Sequence, residues 1–221
     1  MPAGYTSYAD ASIDVGLRPS RVVGKVVIGF AWAATAGFAA LALAITIRKG
    51  RYDEFIADQS LATLDALASA DDIVRACSIL LIIAAIAQAI GVVLWTKRVA
   101  DNAVRRGASN VRPKLAAAGW VIPFASIWVP WVQLRRSLTA TGGSTKVVSR
   151  WQAVTIATGV LSQLVLRAGT DIDNATTLSE LSDAAGRQQV FAVVMAIAGV
   201  LSVVVATRAI REVNRVVSRG R

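Results

Sequence analysis

LAAAGWVIPFASIWVPWVQL, residues 115–134, decides how the rest of the chain is placed. It runs for 20 residues without a charge, which at about 1.5 Å per helical residue is enough to cross a hydrocarbon core of about 30 Å. Yet it carries Pro123 and Pro130 and packs in Trp120, Trp128 and Trp131. Proline removes a backbone donor and disfavours helix in the residue before it, so Ile122-Pro123 and Val129-Pro130 are expected break points. The segment either crosses as a kinked helix or enters and returns on one side, and that choice sets the side of everything after it.

The surrounding composition makes the solvent a membrane. Of the 221 residues 55% are hydrophobic and 17% charged, and the mean hydropathy is +0.54. The apolar residues come in blocks: between Lys25 and Arg48, Arg75 and Lys97, Lys114 and Arg135, and Arg187 and Arg208 lie 22, 21, 20 and 20 residues without a charge. A fifth block, Trp151 to Leu166, has 16 residues; it spans if Arg150 and Arg167 snorkel to the interfaces. The expected organisation is an N-terminal tail over 1–21, one transmembrane domain over 22–208 and a basic C-terminal tail over 209–221. Within that domain the apolar segments are 22–47, 73–96, 115–134, 151–167 and 188–207.

A net charge of +10 would point to nucleic acid in a soluble protein, but here the cations flank apolar blocks, where they anchor helix ends at a cytoplasmic face and meet anionic headgroups. No nucleic-acid partner is expected. The apolar start is too late and too long for a cleavable signal. There is no histidine and one cysteine, Cys77, so the usual general base and commonest metal ligand are missing and no internal disulfide can form. No nucleophile elbow, phosphate-binding glycine loop or CxxC pair occurs. The four uninterrupted blocks hold no Asp or Glu, which argues against a coupled ion path. The sequence therefore implies no enzyme activity and no cofactor or metal.

In the first block Gly29, Ala33 and Gly37 recur every four residues, as do Ala36, Ala40 and Ala44, and both strips are read as packing seams. Residues 48–72 and 167–187 are acidic connections; in the first, Phe55, Leu61, Leu64 and Leu67 fall at helical spacing, as in an amphipathic helix resting on the membrane. Gln88 is the polar side chain at depth in the second block and is expected to bond a neighbouring helix. After it come Lys97, Arg98, Arg105 and Arg106, with Gly107 as a stop and Pro113 as a start.

Charge counting separates the two topologies. With both termini inside and 115–134 re-entrant, the inner segments hold 18 Lys and Arg and the outer ones 6; with the segment spanning, the counts become 11 and 13. The positive-inside bias selects the first. The expected fold is all-α, four spanning helices as two similar hairpins joined by a proline-broken re-entrant segment, with five spanning helices as the alternative. The hairpin ends match as Val93–Lys97 against Val204–Arg208 and Asp101 against Glu212.

Trp95, Lys97-Arg98, Asn102-Ala103, Gly107, Gly119-Trp120, Ile122-Pro123, Trp128, Pro130 and Arg135 occur in an order that resembles the family called domain of unknown function 4328. The resemblance covers about residues 73–210. It implies a small polytopic protein of the plasma membrane, from actinobacteria, and no activity. Two functional readings follow. The first is a non-catalytic accessory or interaction subunit, or homo-oligomer, in the plasma membrane, with both termini cytoplasmic. The second is a small-molecule or ion transport or channel protein that uses the broken segment, with a polar cavity beside Ser126. Candidate contacts to lipid or partner are Gln88, Arg98, Asn102, Trp120, Pro123, Trp128, Pro130, Trp131 and Arg135.

Overall fold

Four helices are long and apolar enough to cross a membrane, which makes the chain a multi-pass helical membrane protein. A computed structural model describes residues 20–122 and 124–218. Residues 1–19, Pro123 and residues 219–221 lie outside the described residues, and with them most of the expected N-terminal tail, one of the two break points and the end of the chain. The order is α1 (Ser20–Ala57), α2 (Leu61–Arg105), α3 (Pro113–Ala118), α4 (Ala125–Ala140), α5 (Lys146–Asp173) and α6 (Leu178–Ser218), with no strand among the described residues.

The long helices outrun their apolar blocks. α1 continues to Ala57 and α2 begins at Leu61, so the acidic stretch 48–72 is mostly helix standing on the bundle and not a helix lying on its surface. Leu61 is 81% exposed, whereas Leu67 is buried with Tyr52, Ile172, Ala184 and Ala185, with Phe55 and Leu181 packed against them. Both acidic stretches thus dock on one small apolar core. Arg48 fastens it: its guanidinium bonds Asp71 at 3.1 Å and Gln188, and lies 5.7 Å from the centre of the Tyr52 ring. The other end corrects the expected basic tail. Residues 209–218 continue α6, and Ala209, Ile210, Val213 and Val217 are in the core.

Helix stops follow their glycines. Gly107 has φ +89°, its N–H donates to Val104 O at 2.9 Å, and that of Ala108 donates to Ala103 O at 3.1 Å. Gly142 (φ +74°) and Gly143 repeat the arrangement on Thr139 O and Leu138 O. This closes α2 and α4 with the left-handed residue that glycine adopts without steric cost.

Segment 113–140 folds back on itself. Arg112 N–H, at the start of α3, donates to Gln133 Oε1 at 2.9 Å, while Gly119, at its end, packs on Val129, so α3 and α4 run antiparallel. Gly143 packs on Val216 and Arg106 Nη1 donates to Val216 O at 3.3 Å, so the chain enters and leaves this segment beside the end of α6. Between the two helices residues 119–122 are non-helical, and Phe124, before α4, has φ +63°. Pro130 does not break the chain as expected; it sits inside α4, buried. Gln152 Nε2 donates to Ile127 O at 2.7 Å, a side-chain bond from α5 to the turn of α4 where the proline withholds a backbone donor.

The two small-residue strips of α1 are not seams between helices of the described chain. Its buried face is Val27, Ala31, Ala34, Thr35, Leu41, Ala42, Ala44 and Ile45, and Gly29, Ala33, Ala36 and Ala40 are exposed. Residues spaced by four advance about 40° per step around a helix of 3.6 residues per turn, so a run of three drifts off any single line of contact. Gly37 and Ala44, the last of each run, have turned inward; a Cβ on Gly37 would meet Leu81 at 3.1 Å.

At the start of α6, Thr177 Oγ1 accepts the Glu180 N–H at 3.2 Å, and Glu180 Oε2 accepts the N–H and hydroxyl of Thr176, both at 2.9 Å. The bonds from Thr176 hold the Glu180 carboxyl below its usual 4.5. Folding lowers this pKa, so the contribution is present above pH 4.5 and is lost as pH falls through the lowered value. Amide exchange over residues 176–181, corrected for the intrinsic pH dependence, should speed up below pH 4.5, and Glu180→Gln should abolish that step.

Candidate functional site: a cleft between α2 and α5

Four tryptophans converge at the basic end of the bundle. Trp131 of α4 meets Trp120 and Trp151 edge-on, each at 5.1 Å between ring centres, and Trp151 lies 5.9 Å from Trp95. Edge-to-face pairs at such distances add to the area the rings bury. Their polar edges are used: Trp95 Nε1 donates to Asn214 Oδ1 and Trp120 Nε1 to Thr96 Oγ1, both at 3.1 Å. The cluster ties α2, the folded-back segment, α5 and α6 into the largest apolar core, with Leu134, Leu138, Val148, Ile210 and Val213.

The rings also hold two helices apart. If a two-fold axis related the α1–α2 and α5–α6 hairpins, α2 would meet α5 as α6 meets α1. α6 does meet α1 closely, with Thr35 Oγ1 at 3.4 Å from Gly199 O and Phe38 against Gly199. α2 and α5, in contrast, come nowhere within 8 Å between Cα atoms, because α4 touches both and fills the space between them with Trp131. Above the rings that separation leaves a cleft of about 340 Å³, within the range of about 300–1,000 Å³ of small-molecule sites.

Its walls are apolar with a few hydroxyls and one amide. Ala85, Gln88 and Ala89 come from α2, Thr155, Thr158, Gly159 and Ser162 from α5, and Thr35, Gly199 and Ser202 from α1 and α6; Trp120, Trp131 and Trp151 form the floor. No charged side chain lines it among the described residues. The hydroxyls of Thr155 and Thr158 donate to the carbonyls of Trp151 and Val154, both at 2.9 Å, and that of Ser162 to Gly159 O at 2.8 Å. Each donor is spent on its own helix, and each oxygen still offers a lone pair. The Gln88 amide has no hydrogen bond to any described residue, contrary to the expected bond to a neighbouring helix; it faces the cleft. A Cβ at Gly159 would have nothing within 4 Å.

Of the expected contact residues, Gln88, Trp120 and Trp131 meet at this cleft, and Pro123 lies outside the described residues. Arg98 is half-buried and Asn102 buried on α2 beyond the cleft, and Arg135 donates to Ser149 Oγ at 3.4 Å at the basic end. Pro130 is buried behind Trp131, while Trp128 is 64% exposed with Val121, Ile122 and Phe124 at the tip of the folded-back segment. Ser126 is not on the cleft wall. The α5 face was missed, though Trp151, Thr155, Thr158 and Ser162 recur at steps of four, three and four, a polar stripe in an apolar block.

A family model described as "Domain of unknown function (DUF4328)" matches residues 58–215, well over half of the chain. The match starts where α1 has ended and takes in the tryptophan cluster and both flanks of the cleft. No curated protein and no solved structure matches the chain.

Trp131→Ala would remove the ring that touches both Trp120 and Trp151. We expect a loss of about 3–5 kcal/mol, the range for a buried aromatic truncated to alanine, read as a lowered unfolding midpoint in detergent. Trp128→Ala, at an exposed ring, should change it by less than about 0.5 kcal/mol.

Proposed function

The chain belongs to the family described as a domain of unknown function (DUF4328), and since that description assigns no activity we propose a function from the cleft. The protein is a non-catalytic accessory protein of the plasma membrane that holds one apolar chain between α2 and α5. The observation that carries this reading is the separation of α2 from α5 above the tryptophan rings, with the Gln88 amide turned into the gap. An amide in hydrocarbon without a partner costs free energy, so an occupant with one hydrogen-bonding group opposite Gln88 gains by meeting it. The volume decides the size: a whole helix about 10–12 Å across needs more room than 340 Å³, while one chain of a bilayer amphiphile does not. An uncharged lining supports an apolar occupant over an ion. The exposed strip Gly29, Ala33, Ala36 and Ala40 supports the accessory role, because small residues let another helix approach closely.

The purified protein should therefore carry an apolar molecule, seen by native mass spectrometry as a mass adduct that survives detergent exchange. Gly159→Leu, which grows into open space, should abolish the adduct without lowering the unfolding midpoint. Gln88→Leu should weaken retention and leave stability equal or higher, since it deletes an unpartnered amide. A Gly159→Leu protein that keeps the adduct would refute the cleft as its seat.

The topology belongs to the same proposal. Segment 113–140 is a re-entrant hairpin whose tip, Val121, Ile122, Phe124 and Trp128, rests in lipid, and the basic end of the bundle faces the cytoplasm with both termini. Support comes from the two ends of the segment lying beside the end of α6 and from the exposure of the apolar tip. In a Cys77→Ser background, a cysteine at exposed Ser144 should react with an impermeant maleimide only after the cells are opened, and one at exposed Gln59 should react in intact cells. Labelling of position 144 from outside would favour five spans.

A further inference from the structure

The cytoplasmic-type end carries a second feature, on the face of α6 turned away from the apolar cleft. Arg208, Arg211 and Arg215 are spaced by three and four residues and share that face. On one side, Lys146 and Arg150 at the start of α5 complete a surface cleft of about 570 Å³. On the other, Arg21 and Lys25 at the start of α1 complete one of about 360 Å³. Arg211 and Arg215 line both clefts. Seven cations thus face one carboxylate, Glu212, which is paired with Arg215. The side chains of Lys25, Lys146, Arg150, Arg208 and Arg211 make no ion pair or hydrogen bond with any described residue.

The fold brings these charges together; they come from positions up to 194 residues apart, Arg215 less Arg21. Like charges held side by side repel, and Glu212 is the one carboxylate that lines either cleft among the described residues. Their level is set by the apolar runs: α1 becomes apolar after Lys25, α5 after Arg150, and α6 ceases to be apolar at Arg208. Val22 and Val26 beside them are 62% and 48% exposed. Lys25, Arg150 and Arg208 therefore lie where the bilayer places its phosphates, and the other four follow within about 5–10 Å along their helices. Guanidinium is the side chain that binds phosphate through two parallel bonds, and basic pockets between helix ends at the cytoplasmic interface suit anionic headgroups.

We propose that the paired clefts on either side of Arg211 form one site for a membrane phospholipid whose headgroup carries two linked phosphates, one phosphate in each cleft. The shared Arg211 stands between the two phosphates. Linking them makes the second contact intramolecular, which raises its effective concentration over that of two separate lipids. This site is distinct from the apolar cleft and does not depend on what that cleft holds.

The test is a native mass-spectrometry titration of the full chain in neutral detergent with cardiolipin, with phosphatidylglycerol and with inorganic pyrophosphate. The expected result is cardiolipin binding more than about tenfold tighter than phosphatidylglycerol. Arg211→Gln should weaken cardiolipin by about fivefold or more, one interfacial cation's share, and erase its preference, while Arg211→Lys should keep part of it. Lys114→Gln, an exposed cation of the same end outside both clefts, is the control and should have little effect. Should Arg211→Gln fail to fold, Lys25→Gln and Arg150→Gln, each in one cleft, should each reduce cardiolipin to the affinity of phosphatidylglycerol. Equal affinities for the two lipids, or equal losses in Arg211→Gln and Lys114→Gln, would overturn the site. Displacement of cardiolipin by pyrophosphate at matching concentration would instead assign the clefts to a soluble anion and overturn the lipid.

Discussion

Trp131, held edge-on between Trp120 and Trp151, is the contact on which the rest of the architecture depends. Helices in lipid gain little from hiding apolar surface, so they close on one another wherever small residues allow it. α1 and α6 do so through Thr35, Gly199 and Phe38. Their counterparts, α2 and α5, have small residues too, in Ala85, Ala89 and Gly159, but α4 lies between their basic ends and the rings hold them open. The cleft is the consequence. It lies where α2 and α5 do not meet as α1 and α6 do, and α4 of the folded-back segment touches both of them there.

The two ends of the bundle have opposite chemistry and opposite construction. At the acidic end the helices continue past their apolar blocks and lock over Tyr52, Leu67 and Ile172, with Arg48 reaching from α1 to Asp71 of α2 and Gln188 of α6. Those contacts are internal and mutually satisfied. At the basic end the apolar residues are as well packed, but on the outer face of α6 the side chains of Arg208 and Arg211 make no ion pair or hydrogen bond with a described residue, while Arg215 pairs with Glu212. The bundle thus has a closed clamp at one end and an excess of positive charge at the other.

Much of this was legible because membrane constraints are coarse. Block length, the lack of acids within the blocks, and Gly107 and Pro113 as punctuation translate directly into helices and stops. The readings that failed all needed a partner to be known. Gly29 and Ala33 fit a seam by spacing alone, yet which face of α1 is buried is set by Leu81 of α2 and Gly199 of α6. Pro130 has the chemistry of a break, yet α4 continues through it, braced by Gln152 from another helix. Gln88 was expected to find a neighbour, and the neighbour it would have met is the helix that Trp131 keeps away.

By itself the sequence determined the solvent, the number of long apolar helices and the membership of the family, because each depends on local composition and spacing. The tertiary structure alone decided that the tryptophans wedge two helices apart, that the hydroxyl face of α5 and Gln88 look into the same gap, and that cations from α1, α5 and α6 share one surface. Those facts depend on which helix faces which, a choice made by the packing of residues far apart in the chain and carried by no local pattern.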